Sequence, residues 1–134
     1  MAGRRVVVTG IGTINPLGKT IEEYFSNLEK GVSAAATITR FDATKFRSRI
    51  ACEVKDYDWT QYFDRKEIRK YDPFAQWAMI SADEALKDSG IVGDESIDLE
   101  RVGVIWGSGT GGTTTFYEES KGYIEGNFTP RFSP

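Results

Sequence analysis

The chain has 134 residues, 17 Lys plus Arg against 20 Asp plus Glu for a formal charge of −3, and 40% hydrophobic content. That is enough apolar material for a packed core, which excludes a disordered tail, and the mild acidity supplies no global attraction to nucleic acid or to an anionic membrane. With no histidine and one cysteine, Cys52, this sequence alone cannot build a Ser-His-Asp site, a Cys-His site, a histidine-ligated zinc or an internal disulfide.

Arg4 to Thr9, with Val6-Val7-Val8 at its centre, predicts a strand buried on both faces of a parallel sheet. Gly10 to Gly18 is a turn-rich loop. Thr20 opens a helix, with Thr20 and Glu23 in capping-box spacing, Ile21, Tyr24, Phe25 and Leu28 on one side, and Gly31 placed to end it. Residues 32–49 give no clear period. Ile50, Cys52 and Val54 alternate with Ala51, Glu53 and Lys55, as a half-buried strand does. Asp64 can cap a short basic helix reaching Lys70. Asp72-Pro73 restarts a helix that runs to about Lys87, where Asp88-Ser89-Gly90 stops it. Phe74, Trp77, Ala78, Ala82, Ala85 and Leu86 give that helix a broad apolar side. Val102 to Trp106 predicts a second buried strand, followed by a glycine loop and a helix over roughly Thr114 to Tyr123. The order is that of an α/β protein.

No apolar run approaches the ~18 residues of a membrane span. The valine run behind Arg4-Arg5 is too short for a signal-peptide core. One unpaired cysteine makes a reducing compartment the expectation. Without a secretion signal, the glycosylation pattern Asn127-Phe128-Thr129 reads as chance. Thr129 to Pro134 reads as a loop, so the chain is expected to be the front part of something longer.

Four features carry candidate chemistry. Gly107-Ser108-Gly109-Thr110-Gly111-Gly112 matches GxGxxG behind a strand. A dinucleotide site would also need a second strand ending in an acidic residue about 20 residues on, and none is visible. The other reading is glycines that admit close backbone approach. Gly18-Lys19-Thr20 lacks the upstream glycine of a P-loop and reads as an ordinary turn with Lys19 in solvent. Cys52, on the expected inward side of its strand, reads as a small buried hydrophobe rather than a nucleophile. Lys66, Arg69 and Lys70 share one helical face, with Arg65 beside them. That face is either a solvated surface or a dock for an acidic partner.

Arg5-Val6-Val7-Val8-Thr9-Gly10-Ile11-Gly12 followed by Asn15-Pro16-Leu17-Gly18 resembles the opening of the type II β-ketoacyl-[acyl-carrier-protein] synthases. The likeness continues through Ile50 to Asp56, Arg65-Lys66-Glu67 with Arg69-Lys70 and Asp72, Trp106-Gly107-Ser108-Gly109 with Gly111-Gly112, and Pro130-Arg131 with Ser133-Pro134. It spans essentially the whole chain in register.

The resemblance implies a thiolase-like αβαβα sandwich, with residues 1–134 as an incomplete first half. It implies decarboxylating Claisen condensation of an acyl group with malonyl-carrier protein, in a cytoplasmic or organellar homodimer without metal or organic redox cofactor. The catalytic cysteine and two histidines would lie beyond this segment, leaving no catalytic residue within it. By the same resemblance Lys66, Arg69, Lys70 and Arg131 receive the acidic carrier protein, and Thr110, where isoleucine is common, borders the acyl pocket. Phe132 stands where a base is frequent. Two alternatives remain at this point: a noncatalytic relative of the chain-length-factor kind, and a nucleotide-binding α/β module.

Overall fold

Capping chemistry sets most of the regular structure. The computed structural model describes residues 3–132. Its elements are α1 (Ile21–Glu29), β1 (Ala35–Thr37), β2 (Ile50–Cys52), α2 (Arg65–Lys70), α3 (Pro73–Ser89) and α4 (Thr113–Glu125). Single 3-10 turns lie at Trp59–Gln61 and Leu99–Arg101. The chain divides into two compact units, Met1–Asp58 with Met79–Val102 and Trp59–Ala78 with Gly103–Pro134. Ser133 and Pro134 lie outside the described residues.

In the first unit the Thr20 hydroxyl accepts from the Glu23 amide at 3.2 Å, capping α1. The Glu23 carboxylate reaches back one residue further than a capping box requires, to the Lys19 amide at 2.8 Å. Asn15 and Gly18 exchange backbone hydrogen bonds at 3.0 and 3.2 Å, so Asn15-Pro16-Leu17-Gly18 is a tight turn, as expected. Lys19 is not simply solvated: its Nζ donates to the Asp56 carbonyl at 2.6 Å. The unreadable stretch 32–49 supplies one arm of a two-stranded antiparallel ribbon, Ala35 facing Cys52 and Thr37 facing Ile50. Glu53 ties the ribbon's ends by accepting from the Thr39 hydroxyl at 2.8 Å and from the Thr39 and Arg40 amides. The Thr39 hydroxyl does most to hold its carboxyl below the usual range. Burial opposes this, and the two amides and Lys55 add to the lowering.

Neither apolar run forms the expected buried strand. Val6 is 90% exposed and Ile105 98%. A strand exists only as a pairing, and β1–β2 is the one sheet among the described residues. The segment after Thr9 instead lies along the C-terminal half of α3. The Ile11 amide donates to Asp88 at 2.9 Å, and the Thr13 and Ile21 amides share Glu84, each at 2.8 Å. Gly10 and Gly12 make this approach possible. A side-chain carbon on either would strike the α3 backbone, at Ala85 and Ser81 respectively.

Cys52 also departs from expectation. It is exposed, and Ala51 between it and Ile50 is the better covered residue of β2. A two-stranded ribbon whose partner strand is Ala-Ala-Thr offers no side chain large enough to bury either face. Cys52 therefore opens onto a cleft lined by Thr13, Pro16, Leu17, Tyr24 and Val32.

Candidate functional site

The basic face sits in the second unit on α2, a helix of only 6 residues with no buried side chain. So short a helix is not stable by propensity and depends on its ends. At the N-terminus Asp64 Oδ1 accepts from the Lys66 and Glu67 amides at 2.7 and 2.9 Å, and Glu67 Oε2 accepts from the Asp64 amide at 3.0 Å. This is a complete capping box. It commits both local carboxylates to the positive end of the helix, while Arg69 and Lys70 occupy the negative end. Lys66, Arg69 and Lys70 are exposed. Among the described residues no carboxylate lies within ion-pairing distance of any of them. Lys70 Nζ lies 5.4 Å from the centroid of the Tyr71 ring, a cation–π contact.

Beneath α2, Phe63 is buried and its ring lies 6.3 Å from that of Tyr71, and Trp59 and Trp77 approach to 5.9 Å. From α3, Gln76 Nε2 donates to the Ile68 carbonyl at 3.2 Å and to the Tyr71 carbonyl at 2.5 Å. Sequence reasoning passed over Gln76. The available signal was its position four residues before Ile80, on the buried side of an otherwise apolar helix face.

The glycine loop is tied to the start of α3. Asp72 Oδ2 accepts from the Thr115 amide at 2.9 Å and the Thr115 hydroxyl at 2.8 Å, and Oδ1 accepts from the Phe74 amide at 3.4 Å. Partial burial works against the Asp72 carboxylate, but these bonds outweigh it and hold its pKa below the ordinary 3.8. Gly111 lies close against the Phe74 ring, where an added side-chain carbon would come within 2.7 Å of it, and Gly112, at φ +72°, caps α4. Gly107 and Gly109 have open space around them, so crowding explains only part of the motif. Thr110 is exposed within this loop.

Arg131 is also exposed, beyond the turn that ends α4. Phe132, where a base would extend that patch, packs instead 5.5 Å from the Tyr123 ring, with Phe128 on the same ring at 5.4 Å. The structure thus gathers Lys66, Arg69 and Lys70 on one helix. Arg131 and Thr110 stand on separate loops of the same unit, and no hydrogen bond or ion pair among the described residues links them to α2.

Comparison with known proteins decides the family: the β-ketoacyl synthase N-terminal domain matches residues 3–132. The chain belongs to the β-ketoacyl synthase family. A 3-oxoacyl-[acyl-carrier-protein] synthase 2 from Coxiella burnetii is 47% identical over 112 residues, 84% of this chain and 27% of the relative. One of the same name from Synechocystis is 41% identical over 109 residues, 81% of this chain and 26% of the relative. Among solved structures, a β-ketoacyl synthase from Burkholderia phymatum superposes with a TM-score of 0.72 at 29% identity, covering 98% of this chain and 32% of that one. An ishigamide ketosynthase/chain length factor gives a TM-score of 0.72 at 28% identity, covering 94% and 31%. The chain therefore has the thiolase-like α/β fold of the ketosynthases and spans about a quarter of the length of its curated relatives.

Proposed function

We propose that this chain is the carrier-recognising front part of a β-ketoacyl-[acyl-carrier-protein] synthase. In the reaction, an acyl group passes from carrier protein to an enzyme cysteine. Malonyl-carrier protein then loses carbon dioxide, and the resulting carbanion attacks the acyl thioester and expels the cysteine thiolate. This segment holds no histidine, so its share of the work is recognition. The observation that carries the reading is the unpaired basic face of α2, in a chain whose relatives are named for the acyl carrier protein. Cations on a capped helix attract an acidic partner and steer its approach. Arg131, on its own loop, supplies a further cation for the carrier protein, and Thr110 borders the acyl pocket.

Those names also favour a synthase over a noncatalytic chain-length partner, and the family match leaves the nucleotide-binding reading without support. The whole protein acts as a homodimer in the cytoplasm, or in an organellar stroma or matrix. No helix among the described residues is long and apolar enough to cross a membrane.

The test uses a complete synthase carrying this segment. Substituting Lys66→Glu, Arg69→Glu and Lys70→Glu together should raise the KM for acyl carrier protein on the order of tenfold or more at low salt. A KM equal to that of the unsubstituted enzyme at low salt refutes the assignment.

A further inference from the structure

We infer that Gln76 is a positioning residue for carrier-protein recognition, acting by holding the C-terminal end of α2 in place; the inference rests on the docking role proposed for that helix. Gln76 is only 3% exposed. Its amide nitrogen donates to the carbonyl of Ile68, in the last turn of α2, at 3.2 Å and to that of Tyr71, the residue that caps the helix, at 2.5 Å. The last carbonyls of a helix have no partners within it, and here a side chain from the next helix supplies them. The amide cannot be reversed, because its oxygen would then face both carbonyls.

The oxygen itself accepts no hydrogen bond among the described residues. The hydrogen bonds that this buried side chain makes among the described residues are thus those its nitrogen donates at the C-terminal end of α2. The capping box fixes one end of α2 and Gln76 the other. Lys66, Arg69 and Lys70 lie between these two attachments, so their common face has one orientation rather than many. A preorganised cationic face binds with less ordering cost than a fraying one.

The experiment again uses a complete synthase carrying this segment. Gln76→Met keeps the side-chain length and removes both donors together with the unpartnered oxygen. Gln76→Glu keeps the shape but turns carboxylate oxygens toward the two carbonyls. Both should raise amide hydrogen exchange over residues 65–71, and raise the KM for acyl carrier protein on the order of tenfold, with kcat at saturating carrier protein retained. Simple loss of fold would instead lower kcat as well.

A carrier KM that stays put in Gln76→Met, while the triple charge reversal on α2 raises it, overturns the inference and leaves the docking reading standing. If the charge reversal itself leaves the KM unchanged, both fall. Should neither Gln76 variant fold, the side-chain amide protons of Gln76 in the unsubstituted enzyme decide: slow exchange supports the attachment, and exchange at the rate of a free amide overturns it.

Discussion

Replacing Asp72 with alanine removes the bond between the start of α3 and the first turn of α4. The approach of the Phe74 amide, at 3.4 Å, is too long to count for much in the cost. The Thr115 amide at 2.9 Å and hydroxyl at 2.8 Å are short and charge-assisted. Hydrogen bonds to a charged group contribute about 1.5–3 kcal/mol where water is excluded, and Asp72 is only partly covered. Together with its place ahead of α3, a loss of about 1–2 kcal/mol follows for Asp72→Ala, and roughly half of that for Asp72→Asn, which keeps an acceptor. The pH dependence has a definite sign. The folded-state pKa is lowered, so the stabilisation is fully present above the unfolded value and is lost as pH falls through the lower folded one. The gap between the native chain and Asp72→Asn should be full at neutral pH and close in acid, below the ordinary 3.8. Urea unfolding of the full chain across that range measures it, with amide exchange at Thr115 as the local reporter. An Asp72→Ala variant within about 0.3 kcal/mol of the native chain at neutral pH, or a gap that does not change on acidification, would show that the Asp72–Thr115 link does not stabilise the fold in this way.

Gly12→Ala should cost about 2 kcal/mol or more in the same unfolding assay, because the new carbon would meet the Ser81 carbonyl oxygen. Cys52 should be alkylated by a small maleimide, without denaturant, at a rate within about tenfold of the unfolded chain; strong protection would contradict its exposure. Thr110→Ile should change the ratio of long to medium acyl groups accepted by a complete synthase carrying this segment. One methylene in an apolar pocket is worth about 1–3 kcal/mol, so the shift should reach severalfold. Carrier proteins loaded with a chain-length series read it out, and an unaltered profile places Thr110 away from the pocket.

The helices were legible because their signals are local. Thr20, Asp64 and Pro73 sit within a turn of the amides or φ angles they govern, and each helix begins where they indicate. Gly31 and Gly90, at φ +67° and +69°, mark the ends of α1 and α3 for the same reason. Pairing is not local. Nothing in Val6-Val7-Val8 or Val104-Ile105-Trp106 says which strand lies beside it, and among the described residues none does. Ala35 to Thr37 shows the converse, a paired strand too short and too small-sided for its period to be seen. Cys52 was misplaced because alternation names the residues that share a face but not which face is covered. At the candidate site the charges of α2 were plain in the sequence. Their supports were not, because Gln76 and the Asp72–Thr115 link join residues 5, 8 and 43 positions apart through side chains.

The most direct test of the docking claim is the affinity of acyl carrier protein for a complete synthase carrying this segment, with α2 native or reversed at Lys66, Arg69 and Lys70, over a range of salt. The native protein should bind at least about tenfold more tightly at low ionic strength, and the two should converge as salt screens the exposed charges. Equal affinities at low salt, or a difference that salt does not diminish, would contradict it.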